Sequence, residues 1–373
     1  MAVYDYRLSR RSLVATAIGA SCAVASGANG QKGQMFEAEV ERYPDPATEF
    51  QVYRLTDPSY TSILPGRYNR LISRNSGTLL YCSDRTGSRQ AFRMDLKTGD
   101  SQQLTASEDL DGNSLTLVQD NRSFCFFAGH TLWVASLGNL REHPAYTPTE
   151  GWELMSAPHA TADSARVLLV ERKRGASRLR SVMLSQGVAR TILETPFEIA
   201  DPIERPLHAQ ICYRKAGGGV WLAAADGKSN AELKLAAGGI GPFYWSQDGN
   251  TLLYLNFPED PGQLNAIREY SPESRADKLV AKTSQYVTFA ANRDGTVYVG
   301  ASRNAASPTI LIMLRSVRRE LTLCEHRASH PDQVSPMFSP DAQRIYFESD
   351  RHGKPAIYSL HVERLVERIN EAG

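Results

Sequence analysis

The sequence predicts an all-β fold made of repeated four-stranded antiparallel sheets, and three observations predict it. The first is a stretch near the C-terminus, Ser335 to Tyr358. There Ile345, Phe347 and Ser349 alternate with Tyr346 and Glu348, the period-two pattern of a strand. A Pro340-Asp341 turn precedes this strand and a Ser349-Asp350-Arg351-His352-Gly353 turn follows it, leading into a further strand from Ala356 to Leu360. The second observation is that the same order stands at Gly77 to Gly99, with a Ser83-Asp84-Arg85-Thr86-Gly87 turn between two apolar strands. The third is that such units begin near Gly77, Asn121, Ser164, His208, Gly249, Gly295 and Ala342, in steps of about 44 residues. Four short strands at that period are the signature of a β-propeller, here seven-bladed with four-stranded antiparallel blades.

The elements follow in order. Residues 31–49 are polar and proline-bearing and read as a linker, and Phe50 to Thr56 is a lone strand ending in Leu-Thr. The propeller spans 50–362. Its units carry second strands at Leu79–Ser83, Phe124–Phe127, Val167–Val170, Ile211–Tyr213, Leu252–Leu255, Val297–Gly300 and Ile345–Phe347. Third strands follow at Ala91–Leu96, Leu132–Ala135, Leu179–Leu184, Val220–Ala223, Ala266–Tyr270, Ile310–Leu314 and Ala356–Leu360. The last unit lacks its outer strand, and Val52–Thr56 matches the missing piece, so the two ends of the chain are expected to close the ring and leave no open sheet edge there. The tail, 363–373, has Leu365, Val366 and Ile369 at helical spacing, a short surface helix.

Composition sets bounds on function. Lys and Arg number 42 against 41 Asp and Glu, so no basic excess points to nucleic acid or to a membrane surface. The N-terminus reads as an address: Arg10-Arg11 before the mild apolar run Val14–Ser26 resembles a twin-arginine signal peptide over residues 1–30, implying a periplasmic or secreted protein with no transmembrane segment once the signal is removed. Cys82, Cys125, Cys212 and Cys324 recur in strand runs without metal-ligand spacing and read as small buried apolar residues. Nucleophile elbows and phosphate-cradling loops are absent; Gly217-Gly218-Gly219 runs directly into a strand and is a hairpin turn.

The Pro-Asp and Ser-Asp-Arg-x-Gly turns, with seven units, resemble the TolB-like propellers, and within them the oligogalacturonate lyases. The resemblance is clearest at Val52-Tyr-Arg-Leu-Thr56, at Leu323-Cys-Glu-His326, and at Ser335-Pro-Met-Phe-Ser-Pro-Asp341 running into Phe347-Glu-Ser-Asp350 and Pro355-Ala-Ile-Tyr358. It implies a pectin-degrading enzyme that cleaves acidic, uronic-acid oligosaccharides by β-elimination. Such chemistry needs a cation on the C6 carboxylate, a base for the C5 proton and help for the departing O4. In the family the cation is manganese, held by histidines and one glutamine at the mouth of the central channel, and a histidine is the base. This chain departs from the pattern there. The aligned positions hold His330, Gln333 and Ser335 in the last repeat and Pro242 in the fifth, while Asp201 stands where the base would be. Arg178 matches a substrate-binding arginine.

The candidate residues that result are Arg178 and Asp201 for catalysis, Arg178, His330 and Gln333 for substrate, and His330 with Gln333 for manganese if that site survives. Each has a plainer reading. His330 is a loop histidine, Asp201 opens a turn before Pro202, and Arg178 belongs to a solvated hairpin with Arg172, Lys173, Arg174 and Arg180. Two functions stand side by side: an exported oligogalacturonate-lyase-like enzyme, and a catalytically degenerate propeller that binds a sugar or a protein.

Overall fold

The computed structural model describes residues 31–365, apart from Ser156, Ser284, Ala305 and Arg364. The signal segment with Arg10 and Arg11, and residues 366–373 of the tail, lie outside the described residues. Seven antiparallel sheets follow one another around a ring, and seven apolar clusters fill the gaps between neighbouring blades. Each cluster draws on the alternate residues of two successive sheets. Leu80 and Cys82 of blade one meet Leu117 and Phe124 of blade two, for example, and Leu253 of blade five meets Tyr298 of blade six. No blade has a core of its own, so the ring stands or falls as a closed set of interfaces.

The ring closes as the repeat pattern predicts. Gln51–Arg54 is an outer strand of blade seven, with Val52 opposite Leu360, Tyr53 opposite Ser359 and Arg54 opposite Tyr358. The segment expected as a linker does more than connect. Met35–Phe36 pairs with the outer strand of blade one, and Glu41–Pro44 pairs with Gln51–Arg54, so the blades at the seam gain a fifth strand. These pieces are too short and too polar to show a period of their own. Asp45 explains why the chain is ordered between them: its carboxylate accepts from the N–H groups of Ala47 and Thr48 and, through Oδ2, from Glu325 N–H in blade six.

The four cysteines are free and buried. Burial pushes the Cys82 thiol up to about 12 and the other three higher still, which makes them unreactive packing groups. Among the described residues no helix is long and apolar enough to cross a membrane.

Candidate functional site

In a meander of four strands the connections alternate between two faces. The upper face carries the loops that lead into each innermost strand; the lower face carries the turns from first to second strand. Blade one breaks this regularity. Its innermost strand pairs at Ser62–Ile63, leaves the sheet, and returns only at Leu71 and Ile72, beside Leu80 and Leu79. The intervening Leu64-Pro-Gly-Arg-Tyr-Asn-Arg70 crosses the channel as a plug.

Tyr68, Asn69 and Arg70 of the plug reach blades five, two and three. The Tyr68 hydroxyl accepts from Phe243 N–H of blade five at 3.2 Å, and its ring packs on Tyr244 with centroids 5.5 Å apart. The Asn69 amide donates to the carbonyls of Asn113 and Leu115 before blade two, at 3.1 and 2.8 Å. Arg70 donates to Ser164 Oγ of blade three at 2.6 Å, while Leu117 N–H donates to its carbonyl at 2.7 Å. His159 of blade three faces the same loop: burial, then the Arg70 charge, hold its imidazole down at about 4, so it is neutral near pH 7. Burial pushes the Tyr68 hydroxyl far above its ordinary value, which makes it a packing group and not a base. At the root of the plug, Leu64 N–H donates to Glu348 Oε2 at 3.0 Å, and burial raises that carboxyl to about 7.

Against this frame, the candidate residues separate. Asp201 has φ 51° and sits in a bulge of Ile199–Glu204, where Ala200 pairs with Arg214 and Ile203 with Cys212. Arg214 Nε donates to Asp201 Oδ2 at 3.2 Å, and its two terminal nitrogens donate to the carbonyls of Ile240 and Gly241 at 2.7 Å each. Those carbonyls immediately precede Pro242, in the matching bulge of blade five. So Asp201 and Pro242 do come together near the plug, tied by one arginine. His330 and Gln333 bracket a single turn of 3-10 helix, Pro331–Gln333, and are exposed on the upper face. No hydrogen bond among the described residues joins either of them to Asp201.

Arg178 lies in a buried ion pair and not in a solvated hairpin. It is 9% exposed, its Nε donates to Glu171 Oε2, its Nη2 donates to Thr149 Oγ1 at 3.0 Å, and the Trp152 ring lies 4.0 Å from its guanidinium carbon. Glu171, fully buried, also accepts from the Tyr146 hydroxyl at 2.6 Å. The donors of Arg178 are turned to Glu171 and Thr149. The rest of the basic run disperses in the same way: Arg172 pairs with Glu198 and Arg180 donates to Thr191.

The sequence reading missed the plug and what lies beneath it. A cavity of about 310 Å³ runs along the channel from Ser335 to the lower-face turns at Asn121 and Pro340. Arg67, Arg70 and Arg74 line it together with Asn69, and no Asp or Glu is among its described lining residues. Arg67 makes no hydrogen bond or ion pair among the described residues; its charge is felt at the hydroxyls of Tyr68 and Tyr244, as is that of Asp201. The only hint in the sequence is two arginines flanking Tyr-Asn after a Pro-Gly turn.

Manganese, which the resemblance implies, does not fit these residues. The aligned positions offer one imidazole, one amide, one hydroxyl and a proline, a poor donor set for a hard divalent ion. Among the described residues no three of His, Cys, Asp and Glu gather closely enough to hold an ion. Tyr68 meanwhile packs against Phe243 and Tyr244, immediately beside Pro242.

No family model matches the chain. Two curated proteins do: the oligogalacturonide lyase of Pectobacterium atrosepticum and the oligogalacturonate lyase of Dickeya dadantii. Each is 23% identical over 385 aligned positions that cover 89% of this chain and 98% of the relative. Among solved structures, an oligogalacturonate lyase in complex with manganese superposes with a TM-score of 0.83 at 23% identity, covering 88% of this chain and 98% of that one. A Vibrio parahaemolyticus oligogalacturonate lyase superposes equally well, at 22% identity over 89% of this chain and 99% of that one. The resemblance to the oligogalacturonate lyases thus extends over nearly the whole chain, and the fold is the same seven-bladed ring.

Proposed function

We propose that this chain is an exported, oligogalacturonate-lyase-like propeller that recognises uronic-acid oligosaccharides at its channel, and that any β-elimination it performs does not run through manganese at the aligned positions. The substrate class is supported by full-length similarity to two lyases of pectin oligosaccharides. The observation that carries the reading is the channel itself, which is lined by arginines with no carboxylate among its described lining residues. A guanidinium there forms a charge-assisted pair with a sugar carboxylate. It neutralises that carboxylate without the Lewis acidity of a divalent ion, so C5 is acidified less. Binding without turnover is favoured over elimination by one further observation: Asp201, at the position of the base, is already engaged by Arg214.

Calorimetry with a galacturonate trimer, alongside the ultraviolet absorbance of unsaturated uronate product, tests this. The expected result is binding, with absorbance that does not rise when manganese is added. Fast manganese-dependent cleavage would show that the ligand loops are wrongly aligned. Export is the other half of the reading. Replacing Arg10 and Arg11 with Lys is expected to leave the precursor in the cytoplasm, and unchanged yield of mature protein outside would overturn the twin-arginine assignment.

A further inference from the structure

The cavity beneath the plug opens away from the mouth. Its lowest lining residues, Arg74, Asn121 and Pro340, belong to turns between first and second strands, and these turns form the lower face. Tyr68 of the plug packs against Phe243 and Tyr244, and Tyr244 itself lines the cavity. The lining is polar and cationic at Arg67, Asn69 and Arg70 and apolar at Met337 and Phe338, with Tyr244 beside them. Arg70 is held by Ser164 and other contacts, but Arg67 is half-buried and makes no ion pair or hydrogen bond among the described residues. Desolvating a cation without pairing it is costly, and an anion in the cavity relieves that cost.

We propose that this cavity, the lower part of the channel to which the function above is assigned, takes a single carboxylate-bearing pyranose with its carboxylate on Arg67 and one ring face on the apolar part of the lining. A small oxyanion of any kind would satisfy the guanidinium. The apolar part of the lining selects a ring-bearing carboxylate over a compact phosphate. That the ring is a hexuronate rests on the function proposed above; that the ligand is a carboxylate rests on the cavity alone. The plug is thereby a binding element as well as a stopper, since it delivers Arg67 to the axis.

The test is calorimetry on the full mature chain with four probes: galacturonic acid, galactose, inorganic phosphate and the galacturonate trimer. Wild type is expected to bind galacturonic acid in a salt-sensitive way, to ignore galactose and to bind phosphate at least tenfold more weakly. Arg67→Met keeps the apolar stem and removes the charge; it is expected to lower affinity for galacturonic acid by tenfold or more. If Arg67→Met does not fold by circular dichroism, Ser335→Asp sets a carboxylate into the same cavity without altering the plug and is expected to abolish the binding. Unchanged galacturonic acid binding in either folded variant overturns the cavity as a site for Arg67, and persistent trimer binding would then leave recognition of oligosaccharides by the channel standing without Arg67. Phosphate binding as tight as galacturonic acid overturns the role of the apolar lining. Failure of every uronate to bind takes down both proposals together.

Discussion

A chain beginning at residue 58 is expected not to fold, whereas one beginning at residue 41 should fold and melt only slightly below the mature protein. The first truncation removes Gln51–Arg54, and with it the outer strand of blade seven. It also removes Val52, which is fully buried between blades six and seven, and Leu55, which is buried between blades seven and one. Burial of these two side chains is worth roughly 3–6 kcal/mol. Leu55 N–H and Thr56 Oγ1 also bond the backbone of Ile357, and that ladder is lost too. Total stability of a folded chain is on the order of 5–15 kcal/mol, so the loss approaches the whole. It falls on the one seam where the ring is closed by both chain ends, and it leaves Ala356–His361 an unpaired edge. The shorter truncation gives up Met35, which is largely exposed, the stacking of Arg85 on Phe36 and the Arg85–Glu39 ion pair. Those contacts amount to about 1–2 kcal/mol. Composition alone would put the harmless cut after residue 45. The structure moves it to 40, because Asp45 is buried and anchors Glu325 N–H, while Thr48 Oγ1 donates to the Leu323 carbonyl. Equal denaturation midpoints for the two truncated chains would overturn the closure.

The parts of this molecule that were legible in the sequence share a physical cause. A strand between two blades is buried on both sides in alternation, so Leu79–Ser83 or Ile345–Ser349 advertises itself by period, and a turn such as Ser349-Asp-Arg-His-Gly353 by its special residues. Even the closing strand carries that pattern in Val52-Tyr-Arg-Leu55. The plug carries none. Leu64–Arg70 is neither helix nor strand, and its partners are distant: Tyr68 meets Phe243 across 175 positions, and Arg70 meets Ser164 across 94. What organises it is the hole in the middle of the ring, which exists only once seven blades have closed. The candidate site was legible as a set of positions but not as chemistry. The family resemblance picked out Asp201 and Pro242, which the structure brings together in matching bulges, yet the arginine that ties them, Arg214, lies in the neighbouring strand and drew no notice. Arg178 could have been found. The tight turn at Gly175, with φ 77°, sets Lys173 opposite Ala176, and that register puts Arg178 directly opposite Glu171. A cross-strand pair of opposite charge is the first partner to consider for either residue.

Replacing Arg178 with Ala is accordingly expected to destabilise the propeller by roughly 3–5 kcal/mol, the scale for stripping one partner from a buried ion pair. Glu171 has no exposed surface, so its carboxylate would keep only the Tyr146 hydroxyl, and Trp152 would lose the guanidinium it covers. Hydrogen bonding to Glu171 contributes, after burial, to raising the Tyr146 hydroxyl to about 12, so that hydroxyl stays a donor but cannot replace a positive charge. The double variant Arg178→Met with Glu171→Leu should recover most of the loss, since apolar groups of similar volume need neither partner. Urea denaturation of the wild type, the single variant and the double variant gives the coupling directly. A ligand role for Arg178 makes the opposite forecast: stability close to wild type in Arg178→Ala, with binding of the galacturonate trimer lost. That outcome would return Arg178 to the substrate and require its guanidinium to leave Glu171 when a sugar arrives. If the geometry is right, the double variant regains its denaturation midpoint and binds the trimer as the wild type does, because on the function proposed above the charge that meets the sugar comes from the arginines of the channel and not from Arg178.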